Sequence, residues 1–160
     1  MKTFICKTTQ FLLVLLILAT IAHAFYQSSL PPQKSAEASD KVGEIIEEII
    51  PPDTKPGEYV QKNLRKLAHF TEFFALGLWC TVYVLIFYRR AGGFLLNVPF
   101  GMICALLDET VQIFSKRGPS VKDVWIDVFG FVCAFLIVIS VFLCVLLIRR
   151  ISRARRHCIR

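Results

Sequence analysis

The sequence predicts an all-α membrane protein, a bundle of about four transmembrane helices with one short extracytoplasmic amphipathic helix. Three observations predict it. The 160 residues are 55% hydrophobic and only 19% charged, with a mean hydropathy of +0.57, on the apolar side of ordinary soluble composition. The apolar residues are bunched into charge-free runs at 8–27, 73–88, 91–107 and 128–148, each near the ~20 residues that cross roughly 30 Å of hydrocarbon. Backbone groups in lipid must find partners within their own segment, which makes each run a helix. Together these exclude a water-soluble globular fold, a nucleic-acid-binding module and a disordered chain.

The formal net charge of +7 does not point to nucleic acid. Six of the 19 Lys and Arg residues are Arg149, Arg150, Arg153, Arg155, Arg156 and Arg160, a cluster directly after the last apolar run. Such a cluster reads as a cytoplasmic topology anchor against anionic headgroups. The six cysteines fall in apolar runs or basic termini, where they behave as small hydrophobes in a reducing compartment.

The first element, 1–27, has Lys2 and Lys7 before an apolar run and ends at Ala22-His23-Ala24. This fits a cleavable secretory signal as well as an uncleaved first span. Residues 27–40 are rich in Ser, Pro and Gln and read as an extended loop. Ser39-Asp40 then reads as an N-cap for a short helix carrying Val42, Ile45, Ile46, Ile49 and Ile50 on one face, stopped by Pro51-Pro52. It is too short and acidic to span, and reads as lying on the outer bilayer surface or over the mouths of the spans. Three more spans follow at about 67–88, 94–114 and 124–148. The division is therefore a first transmembrane helix or signal-like segment 1–27, an extracytoplasmic loop 28–64 that carries the amphipathic helix, a three-helix core 65–148 and a basic cytoplasmic tail 149–160.

Basic residues near span ends set orientation. Those at the N-terminus, at Arg89-Arg90 and in the tail fall on one side, so both termini are placed in the cytoplasm and the loop around Pro119 outside.

The polar residues then agree in position. The second span opens with Lys66, His69 and Glu72, the third closes with Asp108, Glu109 and Gln112, and the fourth opens after Arg117 and Ser120 with Asp123 and Asp127. With alternating directions all three clusters reach the outer end. His69 and Glu72, Asp108 and Gln112, and Asp123 and Asp127 each share a helix face. An ionisable group at depth costs several kcal/mol, so these stripes should turn toward one another and line a water-accessible pocket. Blander readings apply to some. Arg65, Lys66, Lys116 and Lys122 read as interfacial snorkellers, Thr71 and Thr110 as backbone-bonded, and Ser120 as the N-cap of the last span with Asp123 at N3.

Crowded carboxylates in a poorly solvated pocket call for a proton, a cation or a metal. Three chemistries fit: general acid–base work by the His and carboxylate set, a divalent cation such as Mg²⁺ or Ca²⁺, or the capture of a polar lipid headgroup. Zinc has one His and no nearby Cys to hold it. A Ser/His/Asp triad lacks a nucleophile elbow.

The motifs Arg65-Lys66-x-x-His69-x-x-Glu72-Phe-x-x-Leu-Gly77, Ala105-Leu-x-Asp108-Glu109-x-x-Gln112-x-Phe114 and Arg117-x-x-Ser120-x-x-Asp123-x-x-x-Asp127-x-x-Gly130 resemble the VanZ-like membrane proteins. That family is named for a teicoplanin (glycopeptide) resistance factor of Gram-positive bacteria. The resemblance covers residues 66–130 in family order. It implies a multi-span cell-envelope protein with an uncleaved first span, and marks His69, Glu72, Asp108, Glu109, Gln112, Arg117 and Asp123 as functional candidates. It brings no reaction with it. Asp127 stands where the family pattern usually has Asn, and Ala134 where it has Gly. The first adds negative charge to the pocket and favours a cation or proton partner.

The resulting expectation is a pocket that binds or modifies an envelope amphiphile, with membrane lipids or an envelope lipid precursor as partners and no nucleic acid. In the enzymatic version His69 and Glu72 are the acid–base pair. Asp108, Glu109 and Asp127 serve as cation ligands or a second acid, and Arg117 anchors an anionic group such as phosphate. Lys66, Gln112, Ser120 and Asp123 complete the binding surface. The rivals are a non-catalytic lipid or lipopeptide binder and a proton-coupled transporter subunit.

Overall fold

The computed structural model describes residues 2–51, 53–88, 91–115, 118 and 120–158, with side chains between Cys6 and Arg153 except that of Ala91. It is 92% helical, and no strand occurs among the described residues. The elements are α1 (Lys2–Ser29), α2 (Pro32–Glu47), α3 (Lys55–Tyr83) with a π-helical continuation (Val84–Tyr88), α4 (Ala91–Phe114) and α5 (Val121–Cys158). Four helices, α1, α3 with its continuation, α4 and α5, are long and apolar enough to cross a membrane.

Several boundaries correct the sequence reading. Residues 27–40 are not an extended loop. α1 runs through Ser29, and α2 begins at Pro32, a proline at the first helical position, where its missing N–H costs nothing. Ser39 therefore caps nothing, and its hydroxyl instead donates to the Ser35 carbonyl. α2 is 16 residues long and ends at Glu47. Ile49 and Ile50 lie beyond it in a turn whose N–H groups donate to the Ile46 carbonyl, and Pro52 falls outside the described residues.

The second span begins a dozen residues earlier than its apolar run suggested. Thr54 is its N-cap, its hydroxyl accepting from the Gly57 N–H at 3.2 Å. The polar stretch from Lys55 to Lys66 is thus helix and not loop, a projecting end that α2 packs against. Gln61 ties the two together by donating to the Glu47 carboxylate. α5 likewise continues through the basic tail to Cys158.

The core is assembled from α3, α4 and α5: Phe73, Leu76 and Cys80 meet Cys104 and Ala105 of α4 and Val128 and Phe131 of α5, with Ile17 and Ile21 of α1 packed alongside. α3 and α5 form the most extensive pair, and glycine explains why. A Cβ on Gly130 would lie 2.5 Å from the Phe70 carbonyl oxygen, and one on Gly77 would lie 2.5 Å from that of Phe131. The two backbones touch where only hydrogen fits, the small-residue contact by which helices associate in lipid. Phe70 covers the outside of this crossing, its ring 6.0 Å from that of Phe129.

The outer faces are apolar. Leu18, Leu95, Ile103, Phe129 and Leu147 are all more than half exposed, as expected of surface that meets acyl chains and not water. Deeper in the bundle Thr81 and Asn97, both buried, satisfy each other. The Asn97 amide donates to the Thr81 hydroxyl at 2.9 Å, and that hydroxyl donates to the Gly77 carbonyl.

Candidate functional site

α3 and α5 leave their glycine crossing with His69 and Asp127 facing inward, and the last turns of α4 bring Asp108, Glu109 and Gln112 to the same place. All five are buried, and Asp108, Gln112 and Asp127 have no exposed surface at all. The imidazole Nδ1 of His69 stands 3.8 Å from Asp108 Oδ2 and 3.8 Å from Asp127 Oδ1. Three helices thus each contribute one ionisable group to one point.

Asp108 is the most connected of the three. Its Oδ2 accepts from the Ser28 hydroxyl at 2.7 Å and from the Gln112 amide at 3.2 Å. Gln112, one turn later on the same face, turns its carbonyl to the Arg65 guanidinium at 2.7 Å. Arg65 is therefore more than an interfacial snorkeller, since its head closes the polar chain from α3 to α4. Lys66 beside it is exposed and borders a smaller cavity with His69 and Asp123.

Glu109 reaches the other way. Its carboxylate accepts the backbone N–H of Ser120, pinning the approach to α5 against the end of α4. The Ser120 carbonyl accepts from the Asp123 N–H at 2.9 Å, so Ser120 sits at the start of α5. Asp123 is in the first turn of that helix, partly exposed, where a carboxylate favours the helix dipole. Glu72, half-buried, faces α1, with Oε1 3.3 Å from Nδ1 of His23. His69 and Glu72 nevertheless line one groove. Arg117 lies outside the described residues.

The sequence reading missed the contribution of α1. Ser28 has no exposed surface, bonds Asp108 through its hydroxyl, and accepts the Ser115 hydroxyl at its carbonyl. It sat in a stretch read as loop, and a serine in a Ser-Gln-Pro stretch carries no local signal of burial. His23 was noticed only as part of a cleavage-like triplet.

The carboxylates of Asp108, Glu109 and Asp127 bring six oxygens here, and four have no hydrogen-bond partner among the described residues. Asp108 Oδ1, Glu109 Oε2 and both oxygens of Asp127 are buried without a hydrogen bond. Buried acceptors left so are costly and mark places where something else binds or where a proton resides. Outside this cluster lies a groove of about 290 Å³ between α2 and α3, walled by Val42, Ile46, Leu64 and Leu67 and ending at His69 and Glu72.

Four membrane-length helices closing over a buried imidazole–carboxylate cluster define a multi-span membrane protein with a polar site inside its helix bundle. The family model described as VanZ/LLP1 matches residues 11–146, a range that takes in α1 and the whole site, and the chain belongs to that family. No curated protein and no solved structure matches it.

Proposed function

We propose that this chain binds an amphiphile of the bacterial cell envelope, headgroup at the His69 and Glu72 end of the α2–α3 groove and apolar portion along Val42, Ile46 and Leu64. By this reading it contributes to glycopeptide (teicoplanin) resistance, as the factor that names the family does. The observation that carries it is the two-sided character of the groove, an apolar wall running into charged groups, which is how sites for amphiphiles orient their ligands. In this reading both termini are cytoplasmic and the groove opens outward, because the basic residues at the N-terminus, at Arg89-Arg90 and in the tail outnumber those that flank the spans at the His69 end, among them Arg65, Lys66, Lys116, Arg117 and Lys122.

A second reading, chemical modification of the same amphiphile, is favoured by the imidazole of His69 with two carboxylates behind it, an arrangement suited to moving a proton. The two differ in outcome. Binding gives saturable retention of envelope lipid with graded losses on substitution, whereas modification gives turnover that a single substitution abolishes.

Native mass spectrometry of the detergent-purified protein is expected to show a co-purified lipid that Leu64→Glu removes. In cells expressing equal membrane levels, His69→Ala and Asp108→Ala are expected to abolish any protection against teicoplanin, and unchanged protection in both would overturn the reading. For orientation, a cysteine at Gly118, in a chain otherwise free of cysteine, should react with a membrane-impermeant maleimide in intact cells. Labelling only after permeabilisation would place the groove on the wrong side.

A further inference from the structure

We propose that His69, Asp108 and Asp127 form a binding site for one divalent first-row transition ion, with Mn²⁺ and Zn²⁺ preferred over Mg²⁺. One ligand atom from each lies within 4.8 Å of the others, and all three residues are buried. They come from α3, α4 and α5, so an ion here would join the three helices of the core at one point.

Two further observations separate this site from an ordinary acidic cluster. Asp127 has no exposed surface, and neither of its carboxylate oxygens accepts a hydrogen bond from any of the described residues. The 3.8 Å separations from Nδ1 to Asp108 Oδ2 and Asp127 Oδ1 are too long for hydrogen bonds. They lie a few tenths of an ångström outside the roughly 3.0–3.5 Å that separates neighbouring ligands when each stands about 2.1 Å from a shared ion. Closing the set, whose atoms lie within 4.8 Å of one another, takes an inward movement of His69 and Asp127 and a turn of the Asp108 carboxylate that brings Oδ1 forward.

The surroundings are those of a prepared site. The Ser28 hydroxyl and the Gln112 amide both donate to Asp108 Oδ2, the oxygen nearer His69, which holds the carboxylate and leaves Oδ1, with no donor among the described residues, as the oxygen it offers to an ion. Metal-ligating carboxylates are oriented by such outer partners. The donor set decides the ion. The sequence pointed to Mg²⁺ or Ca²⁺ and away from zinc, but those two ions favour all-oxygen coordination, and an imidazole nitrogen beside two carboxylates, both of which zinc accepts without Cys, moves the preference to first-row transition ions. Three protein ligands leave positions open for water or for an anionic group of a ligand, beside the groove that His69 also lines.

The inference does not depend on the amphiphile reading, since it can be measured with metal alone. The full-length protein, purified in detergent and stripped with EDTA, would be titrated with Mn²⁺ and the free ion followed by electron paramagnetic resonance, with Zn²⁺ and Mg²⁺ as competitors. The expected result is one ion per chain, displaced by Zn²⁺ at far lower concentration than by Mg²⁺. Asp127→Asn and His69→Gln, each checked for wild-type elution and helical circular dichroism, should lose at least tenfold in affinity. Ser28→Ala, an outer partner, should lose roughly tenfold. If one ligand variant does not fold, the other and Ser28→Ala decide. No saturable Mn²⁺ or Zn²⁺ binding by the folded wild type, or binding that folded ligand variants retain, overturns the site. The three groups would then be a buried ion cluster serving the fold alone.

Discussion

Gly130→Val is expected to cost about 3 kcal/mol or more of stability, near the upper end for overpacking a filled interior, and to lower the amount of protein in the membrane. The reason is geometric. The first atom of any side chain at this position would stand 2.5 Å from the Phe70 carbonyl oxygen, and that atom belongs to the backbone of a neighbouring helix, which cannot rotate aside. Relief requires α5 to move off α3 along their most extensive contact. Gly77→Val meets the Phe131 backbone in the same way and should behave alike. Gly92→Ala, with nothing within 4 Å of the new atom, is the control and should be neutral or slightly stabilising, since alanine favours helix. Equilibrium unfolding in mixed micelles would measure all three. A Gly130→Val protein as stable as wild type would show that the two helices do not cross at this contact.

Separation of the fold from the chemistry is expected at Asp108. Asp108→Ala should destabilise by about 2 kcal/mol, because the Ser28 hydroxyl and a Gln112 amide N–H lose their acceptor in a buried site at roughly 1 kcal/mol or more each. Asp108→Asn keeps a carbonyl for those donors and should fold near normally, while losing one of the two negative charges that Asp108 and Asp127 offer to a cation or imidazolium. The same unfolding measurement, run as a double-mutant cycle with Ser28→Ala, should return a coupling of about 0.5 kcal/mol or more, as expected of residues in one hydrogen-bond network. Zero coupling would mean that α1 does not reach the site through Ser28. Full activity of Asp108→Asn alongside a destabilised Asp108→Ala would make Asp108 a structural residue.

The separation matters because a polar cluster inside a bundle can serve either purpose. Interhelical hydrogen bonds such as that from Asn97 to Thr81 hold membrane helices together at about 0.6 kcal/mol each on average. Such pairs satisfy themselves. The cluster around His69 does not, with four buried carboxylate oxygens lacking hydrogen bonds among the described residues, and that surplus of acceptors argues for an occupant of positive charge.

Much of the site was legible because helical spacing is local. His69, Asp108 and Asp127 lie on span ends that alternating direction brings to one level, and i, i+4 spacing puts Gln112 on the face of Asp108. Legibility failed at residues 27–66. Hydropathy cannot distinguish a polar loop from a polar extension of a spanning helix, so Lys55–Lys66 passed for loop although it opens with a threonine cap and proline. The same failure hid Ser28, and Arg65 passed for a snorkeller because its partner, Gln112, lies 47 residues away.

The sequence by itself determined the four membrane-length helices, their alternating course and the level at which the polar groups gather, since length and hydropathy act segment by segment. Only the tertiary structure decided which groups meet. His69 faces Asp108 and Asp127 while Glu72 faces His23, because each helix's rotation about its axis is fixed by contacts distant in sequence, above all the glycine crossing of α3 on α5. In lipid, apolar side chains gain little by leaving one apolar neighbour for another, so close backbone packing and buried hydrogen bonds, and not the apolar pattern, select that rotation.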